Sequence, residues 1–561
     1  MFLLATLHKF TYLLPVMAVA VLCLAGCGFD KGNSVFQKEN GVVFCVDSGV
    51  SGLDPLTSEV NVTSVTLAKN TFNRLVDYDR TSDVFKPEIA RTWTVSQDLR
   101  SYRFFLNTDV TFHKVPWFNP TRNLNADDVI FTFTRLMDYA NPYEVFQFNQ
   151  ENSGMVDTTF DVLDYRHLLQ LKRFVKKIVK IDDYTVEFIL NRPSPYFLEI
   201  VSNTSCVILS KEFYDSIQSY KKEEFFKNHL VGTGPFKQKD YQFNNYISLI
   251  VNQNYWQKNR QPRLSKLILD ITPNRAKRMN KIMTGECQVA SRPSNSGRLH
   301  KKFQQDFSAL GSDSVNSTML FFNTARGPMS SIKVRQKVKE LLNRAIYNNI
   351  LYSDSGKIPS TYFPFETAIK VNLNNKERLR DKTNVMQEMK RFRRNRSVLT
   401  VYVEKSNSKL GYNSSRLGQM IASDIKSLGL KVRIINADLR AIKKAVAQGN
   451  YDIILFREQF PVLLPLVKFS HFFDCQDDKP SATNYSSFCH HELITMLDEI
   501  QYRRKESIDI SIFEKINRIL SAHIPFVPIA FSGDVFLYNN QVAGLKKTVN
   551  NGLDFTGAYL K

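Results

Sequence analysis

The chain has 561 residues, with 75 Lys and Arg against 54 Asp and Glu (formal net charge +21), and 43% of its residues are hydrophobic. That length exceeds the ~250–300 residues at which a single core stops growing, so one small module is excluded and two or more lobes are expected; the composition also excludes disorder for the bulk of the chain. The positive charge attracts anions of any kind, but the basic residues are dispersed, and no helix-turn-helix, zinc-finger or ribonucleoprotein motif surrounds the densest run, Lys390, Arg391, Arg393, Arg394 and Arg396. Nucleic acid is therefore not an expected partner, and that run reads as a solvated helix end and turn.

Residues 1–27, MFLLATLHKFTYLLPVMAVAVLCLAGC, carry a lone Lys9, an apolar stretch from Leu13 and small residues before Cys27, the pattern of a secretory signal. The ending Leu24-Ala25-Gly26-Cys27 looks like a bacterial lipobox, which makes Cys27 the expected lipidation site and mature N-terminus. The chain is thus expected in the periplasm, tethered to the cell envelope by its N-terminal lipid. Gly28 in place of Asp leans toward the outer membrane and leaves the choice of membrane open. Residues 28–40 read as a polar tether. After Cys27 five cysteines remain, Cys45, Cys206, Cys287, Cys475 and Cys489, and in an oxidising compartment an odd count leaves one thiol over. Cys475 and Cys489 form the obvious local pair. His471, His490 and His491 nearby raise metal ligation as the alternative, but without CxxC spacing no metal is expected.

Regular structure is expected to begin at Gly41, where GVVFCV reads as a strand. Asn125 is a helix N-cap, followed by Asp127 and Asp128 in the first turn and by Val129, Ile130, Phe133 and Leu136 at helical spacing. Strands are expected in DDYTVEFILN (182–191) and over 247–251. A single helix is expected over 333–350, with Val334, Val338, Leu341, Leu342, Ala345 and Ile346 on its core face. From 397 to 456 the pattern becomes strand, helix, strand, helix, strand, with Gly429 and Gly449 at the helix ends, so three parallel strands are expected. Ligands of open parallel sheets bind beyond the carboxyl ends of the strands. Arg457-Glu458-Gln459-Phe460 is expected at such an end, as the wall of a binding site.

No GxSxG, HExxH, Walker loop or GxGxxG occurs in a fitting context, and Gly232-Thr233-Gly234-Pro235-Phe236 is a turn and no phosphate cradle. The nine histidines suggest no triad, so neither enzyme activity nor a cofactor is expected. An exported, tethered, two-lobed α/β chain of this kind reads most economically as a solute receptor.

Several ordered stretches carry a family resemblance: Tyr78-Asp79, Pro87-Glu88-Ile89-Ala90-Arg91-Thr92-Trp93, 102–106, Val110-Thr111-Phe112-His113, 117–129, 231–236, Gly285-Glu286-Cys287, Phe322-Asn323-Thr324-Ala325, Val334-Arg335 and 524–528. Across nearly the whole mature chain the sequence resembles the dipeptide and oligopeptide-binding class of ABC-transporter solute-binding proteins, family 5, and within it the Sap-type receptors of Gram-negative bacteria. The resemblance implies an α/β, two-lobed periplasmic-binding-protein clamshell of type II. Lobe I is expected from 41–312 and the returning tail 531–561, and lobe II from 313–530. It further implies disulfides Cys45–Cys287 and Cys475–Cys489, with Cys206 left free. The implied partners are a peptide or haem-like ligand and the permease and ATPase subunits of a transporter, served by a monomer. Sap-type receptors are associated with antimicrobial peptides and with haem.

In peptide receptors of this class a Trp and an Asp-rich run precede the Cys475-like cysteine, and one Asp pairs with the peptide ammonium. Here Glu458 stands at the Trp position and Pro461, Leu464 and Leu466 at the acidic ones. Glu458, or Glu59 after the Asp54-Pro55 turn, is expected to supply the missing charge. The alternative is an apolar or anionic ligand held by Phe460, Leu463 and Leu464, with Arg457 on a carboxylate. Phe322 and Asn323 complete the expected ligand-binding set. A different class of function, a surface lipoprotein that keeps the fold for adhesion, stands as the other reading.

Overall fold

The computed structural model describes residues 40–56, 60–79, 82, 84–138, 171–219, 228–293, 305–352, 356–363, 398–405, 414–460, 465–476, 478–502, 510–548 and 550–561. The signal and tether over 1–39, Cys27, Glu59, Leu463, Leu464 and the basic run at 390–396 lie outside them.

A ten-stranded sheet runs through the molecule. Its strands are β1 (Gly41–Val46), β2 (Phe236–Gln242), β3 (Tyr246–Val251), β4 (Lys266–Ile271), β5 (Val289–Ser291), β6 (Phe307–Phe322), β7 (Val398–Glu404), β8 (Lys431–Ala437), β9 (Ile453–Phe460) and β10 (Phe526–Asn539), in the order β8-β7-β9-β6-β10-β5-β1-β4-β3-β2. Two kinds of pairing alternate along it. At one end β1 lies parallel to β4 and β5; at the other β7 lies parallel to β8 and β9. Between them the long strands β6 and β10 pair antiparallel from Phe307↔Asn539 to Phe321↔Phe526, with register breaks at Gly311/Val315 and Thr318/Met319.

The apolar pattern divides accordingly. Val42, Phe44 and Val46 of β1 pack with Phe104, Phe133 and Phe188 in one core. Phe133 comes from helix α1 (Ala126–Asp138), whose start is as expected: Asn125 Oδ1 accepts from Asp127 N at 3.0 Å. The second sheet region is covered on both faces. Val334, Val338, Leu417 and Ile421 lie on one side, and Ile442, Leu493, Ile516 and Leu520 on the other. Alternation along Met319 and Phe321 against Leu320 and Phe322 sends successive β6 side chains to opposite layers, as the pleat requires. This is a two-lobed, mixed α/β periplasmic-binding-protein fold.

The βαβαβ expectation holds. Helices α4 (Ser414–Ser427) and α5 (Leu439–Ala447) join β7, β8 and β9, and Gly429 and Gly449 take φ +76° and +63°, the left-handed conformation that ends a helix at least cost to glycine. Two expectations need correction. The helix expected over 333–350 is two helices, α2 (Ile332–Leu341) and α3 (Arg344–Tyr352). Leu342 turns to ψ 115°, and Asn343 Oδ1 caps the new helix by accepting from Ile346 N at 3.2 Å. The break rephases the apolar stripe, so Tyr347, Leu351 and Tyr352 are buried while Ala345 and Ile346 are exposed. The other correction concerns the strand expected to end at Phe456: β9 continues through Arg457 to Phe460 because β6 goes on offering it hydrogen bonds, Thr318↔Arg457 through Val315↔Phe460.

Cys45 is joined to Cys287 and Cys475 to Cys489, while Cys206 is a buried free thiol. Burial pushes that thiol up to about 12, so it stays protonated and inert.

Candidate functional site

The parallel strands of both lobes end in charged residues on either side of the β6–β10 pair. In the first lobe Asp47 follows the last residue of β1 and Arg292 the last residue of β5. Arg292 lies between two carboxylates, with Nη1 3.0 Å from Asp47 Oδ2 and Nε 2.9 Å from Asp534 Oδ1. Asp534 belongs to β10, and its Oδ1 also accepts from Asn316 Nδ2 of β6 at 2.9 Å; Asn551 donates to its other oxygen. Both carboxylates are about 1% exposed. Buried Arg278 is a second cation beside them: burial lowers its pKa to about 10, with the Asp47 charge raising it and that of Arg292 lowering it, so the four side chains sum formally to zero. Neither oxygen of Asp47 has a well-oriented hydrogen bond among the described residues, although it keeps the ion pair. Arg292 sits at φ +42°, an unusual backbone for a non-glycine residue, and its N–H donates to Val535 O at 2.8 Å, which fixes it against β10.

In the second lobe the last residue of β7, Glu404, stands beside Arg457 and Glu458 of β9. The amide of Arg457 donates to Glu404 Oε2 at 3.1 Å. Surrounding protein withdraws this carboxyl from water and pushes its pKa up to about 7; Glu458 adds to the rise, and Arg457 opposes it. Glu404 nevertheless keeps part of its surface accessible. Glu458 is already paired: its Oε1 lies 2.5 Å from Lys468 Nζ, with both side chains under 10% exposed. Lys468 also donates to Gln459 O at 2.8 Å, so helix α6 (Pro465–Ser470) is riveted to the end of β9. The Tyr485 hydroxyl is buried without a hydrogen bond among the described residues, and burial, Glu458 and Glu404 raise its pKa well above the usual range.

Of the residues singled out in the sequence, Arg457 and Glu458 come together here. Phe322 is fully buried in a lobe core. Asn323 spends its side-chain amide on Tyr451 O at 2.9 Å and its backbone N–H on Asp452 O at 2.9 Å. Phe460 is fully buried, 6.1 Å from the Phe472 ring. The sequence reading passed over Asp47, Arg292, Glu404, Lys468, Asp534 and Tyr485. A usable signal existed for the first three: each is the last residue of a parallel strand or the one after it.

Comparison with known proteins gives a consistent result. The family model described as bacterial extracellular solute-binding proteins, family 5 Middle, matches residues 84–480. The chain is 26% identical over 525 residues to the peptide transport periplasmic protein SapA of Salmonella typhimurium, covering 93% of this chain and 92% of that protein. It is 25% identical over 535 residues to heme-binding protein A of Haemophilus influenzae, covering 92% and 93%. The structure is similar to a Pseudoalteromonas dipeptide-binding protein solved with Met-Leu, at a TM-score of 0.75 and 24% identity over 93% of this chain and all of that one.

Proposed function

This chain belongs to the bacterial extracellular solute-binding proteins of family 5, and from that premise we propose that it is the periplasmic receptor of a peptide ABC transporter, taking a peptide between its lobes and passing it to a membrane permease. The lobes are proposed as 41–312 with 531–561, and 313–530. A lipid on Cys27 would hold the receptor at the envelope, a reading that rests on Leu24-Ala25-Gly26-Cys27.

The observation that carries the peptide reading is local charge. A chain of +21 keeps two buried carboxylates, Asp47 and Asp534, around Arg292 with Arg278 beside them, and the Asp47 oxygens have unfilled acceptor capacity. An ammonium placed there gains charge-assisted bonds that a buried carboxylate otherwise lacks. Asp47 thus takes the role that the sequence assigned to Glu458 or Glu59, since Glu458 is committed to Lys468. Glu404 and Arg457 are proposed to face the rest of the ligand, and the same acidity suits cationic antimicrobial peptides. The likeness to a heme-binding relative favours a second ligand class, haem, with Arg457 on a propionate.

Native mass spectrometry of the protein purified in detergent, with short peptides, cationic peptides and haem added in turn, tests this. Peptide adducts are expected, and Asp47→Asn should weaken them on the order of a hundredfold, the cost of about 3 kcal/mol for a charge-assisted bond. Haem adducts without peptide adducts would replace the peptide reading with the haem one. Binding of neither would turn attention to the adhesion alternative.

A further inference from the structure

The proposed ammonium site stands at the carboxyl ends of the first-lobe strands, and the opposite end of the same strands carries the root of the tether. Asn40, the residue before β1, is bound to the loop that leads into β4: its side-chain amide donates to Arg263 O at 2.7 Å, and Ser265 N donates to its carbonyl at 3.1 Å. β1 runs from Gly41 to Val46, so about 20 Å of strand separates this root from Asp47. Thirteen positions separate Cys27 from Asn40. At ~3.5 Å per residue, a lipid on Cys27 keeps the bilayer within about 45 Å of the root.

Two segments at this end present cations. The first is the loop before β4, fixed by its own bonds from Lys258 N to Trp256 O at 3.1 Å, Arg260 N to Gln257 O at 2.9 Å and Gln261 Nε2 to Gln253 O at 3.3 Å. Lys258 and Arg263 are exposed, and neither has an ion pair among the described residues. The Arg263 guanidinium lies 4.9 Å over the Tyr559 ring, a contact that orients it without neutralising it. Arg260, between them, is offset by the buried Asp554 carboxylate. The second segment lies where β2 starts. β2 is antiparallel to β3 and β3 to β4, while β4 is parallel to β1, so the starts of β1, β2 and β4 share one end. Lys237 of β2 is partly exposed there. His113 Nε2 donates to Gly234 O at 2.9 Å, which brings the exposed Lys114 to the same place. Neither lysine has an ion pair among the described residues. Three residues on, Trp117 is 40% exposed at a turn closed by backbone bonds of 3.0 and 3.1 Å between Val115 and Phe118, its ring 5.5 Å from that of Phe213.

A single exposed cation is ordinary. Four of them at one end of a sheet, around the point where the chain enters from its tether and with an exposed indole in the same segment, match what an anionic lipid surface takes: ammonium and guanidinium groups against phosphates, and Trp at the level of the headgroups. We propose that this end of the first lobe rests on an anionic phospholipid bilayer through Lys114, Trp117, Lys237, Lys258 and Arg263, with the strand ends that carry Asp47 turned away from the membrane. The inference rests on the envelope reading for the nearness of the bilayer and takes nothing from the peptide reading.

Lysine acetylation read by peptide mass spectrometry tests it, on the full protein mixed with vesicles of phosphatidylcholine, alone or with about a third phosphatidylglycerol, and recovered by sedimentation. On the anionic vesicles Lys114 and Lys258 should be labelled severalfold less than on the neutral ones, and ~1 M sodium chloride, where the Debye length is ~3 Å, should restore the labelling. Lys405, exposed beyond the end of β7 in the second lobe, should be labelled equally on both. The ratio of protected to labelled Lys258 should fall about fivefold in Arg263→Gln, the effect of one basic group at an anionic surface. Equal labelling on the two kinds of vesicle, protection that salt does not relieve, protection of Lys405 as large as that of Lys258, or no sedimentation with anionic vesicles overturns the proposal. Circular dichroism checks the fold of the variant; should Arg263→Gln not fold, Lys237→Gln takes its place with the same expected fall, and an unchanged ratio overturns the proposal. Sedimentation with anionic vesicles alone, with Lys258 protected, supports the surface contact and removes the lipid on Cys27, whereas sedimentation with both and protection only on the anionic ones supports both.

Discussion

The two charged clusters at the strand ends are built from similar side chains and differ in how their charges are closed. At the first-lobe end one guanidinium serves two carboxylates that are both about 1% exposed. At the second-lobe end each charge has a nearer answer: Glu458 pairs with Lys468, and Glu404 reduces its own charge by holding its proton to about pH 7. The contrast teaches that a buried carboxylate persists as a charge where a cation shares it and gives the charge up to a proton where none is close enough. The first cluster, where the Asp47 oxygens keep unfilled acceptor capacity, is therefore the place to expect a cationic ligand group. The second is the place to expect response to pH.

The largest effect should come from removing the shared cation. Arg292→Met strands Asp47 and Asp534, and removing one partner of a buried pair costs about 3–5 kcal/mol. Urea unfolding should show that loss, whereas a loss below ~1 kcal/mol would mean that water reaches the carboxylates and that the cluster is not closed.

Glu404→Gln probes the other side, with the opposite sign. The ordinary carboxyl value is 4.5 and the folded one about 7, so between these pH values the unfolded chain releases a proton that the folded chain retains. Stability from this group is highest below about pH 4.5, declines through that window and is level above about pH 7. The glutamine variant should gain about 2–3 kcal/mol at pH 8, discounted for partial exposure, and nothing at pH 4. A gain that does not vary with pH would assign the effect to packing instead of charge.

The disulfides sharpen the comparison between the lobes. Cys45–Cys287 closes 242 residues of the first lobe and Cys475–Cys489 only 14 of the second. Loop-closure entropy then favours the first by roughly 2.5 kcal/mol. Replacing each pair by serines and comparing denaturation midpoints should rank them in that order; the reverse ranking would show that the unfolded first lobe retains structure. Smallest is the expected response of Cys206, whose buried, high-pKa thiol should resist alkylation in the native protein and react once it unfolds.

Much of the fold was legible because it rests on local chemistry. The three parallel strands within 397–456 followed from apolar runs separated by amphipathic helices and from Gly429 and Gly449, whose positive φ values are a property of single residues. The Asn125 cap was readable from three consecutive positions. What was misread involved partners distant in sequence. Nothing local distinguishes Arg457 to Phe460 as strand from the same residues as loop; pairing across a long jump in sequence, Thr318 with Arg457 through Val315 with Phe460, decides it, because β6 supplies the hydrogen bonds. Helix 333–350 was read as continuous because its stripe is apolar throughout, and the Asn343 cap that splits it competes with an otherwise adequate helix.

By itself, then, the sequence determined that more than one lobe is needed, the α/β class, the strand-helix rhythm of 397–456 and the family resemblance, all of which depend on length, periodicity and short motifs. Only the tertiary structure decided which charges meet. Asp47, Arg292 and Asp534 are separated by hundreds of residues and are carried into contact by β1, β5 and β10, while Glu404 and Arg457 are neighbours only because β7 lies parallel to β9. Electrostatic energy depends on distance and burial, and neither is a property of a residue's position along the chain.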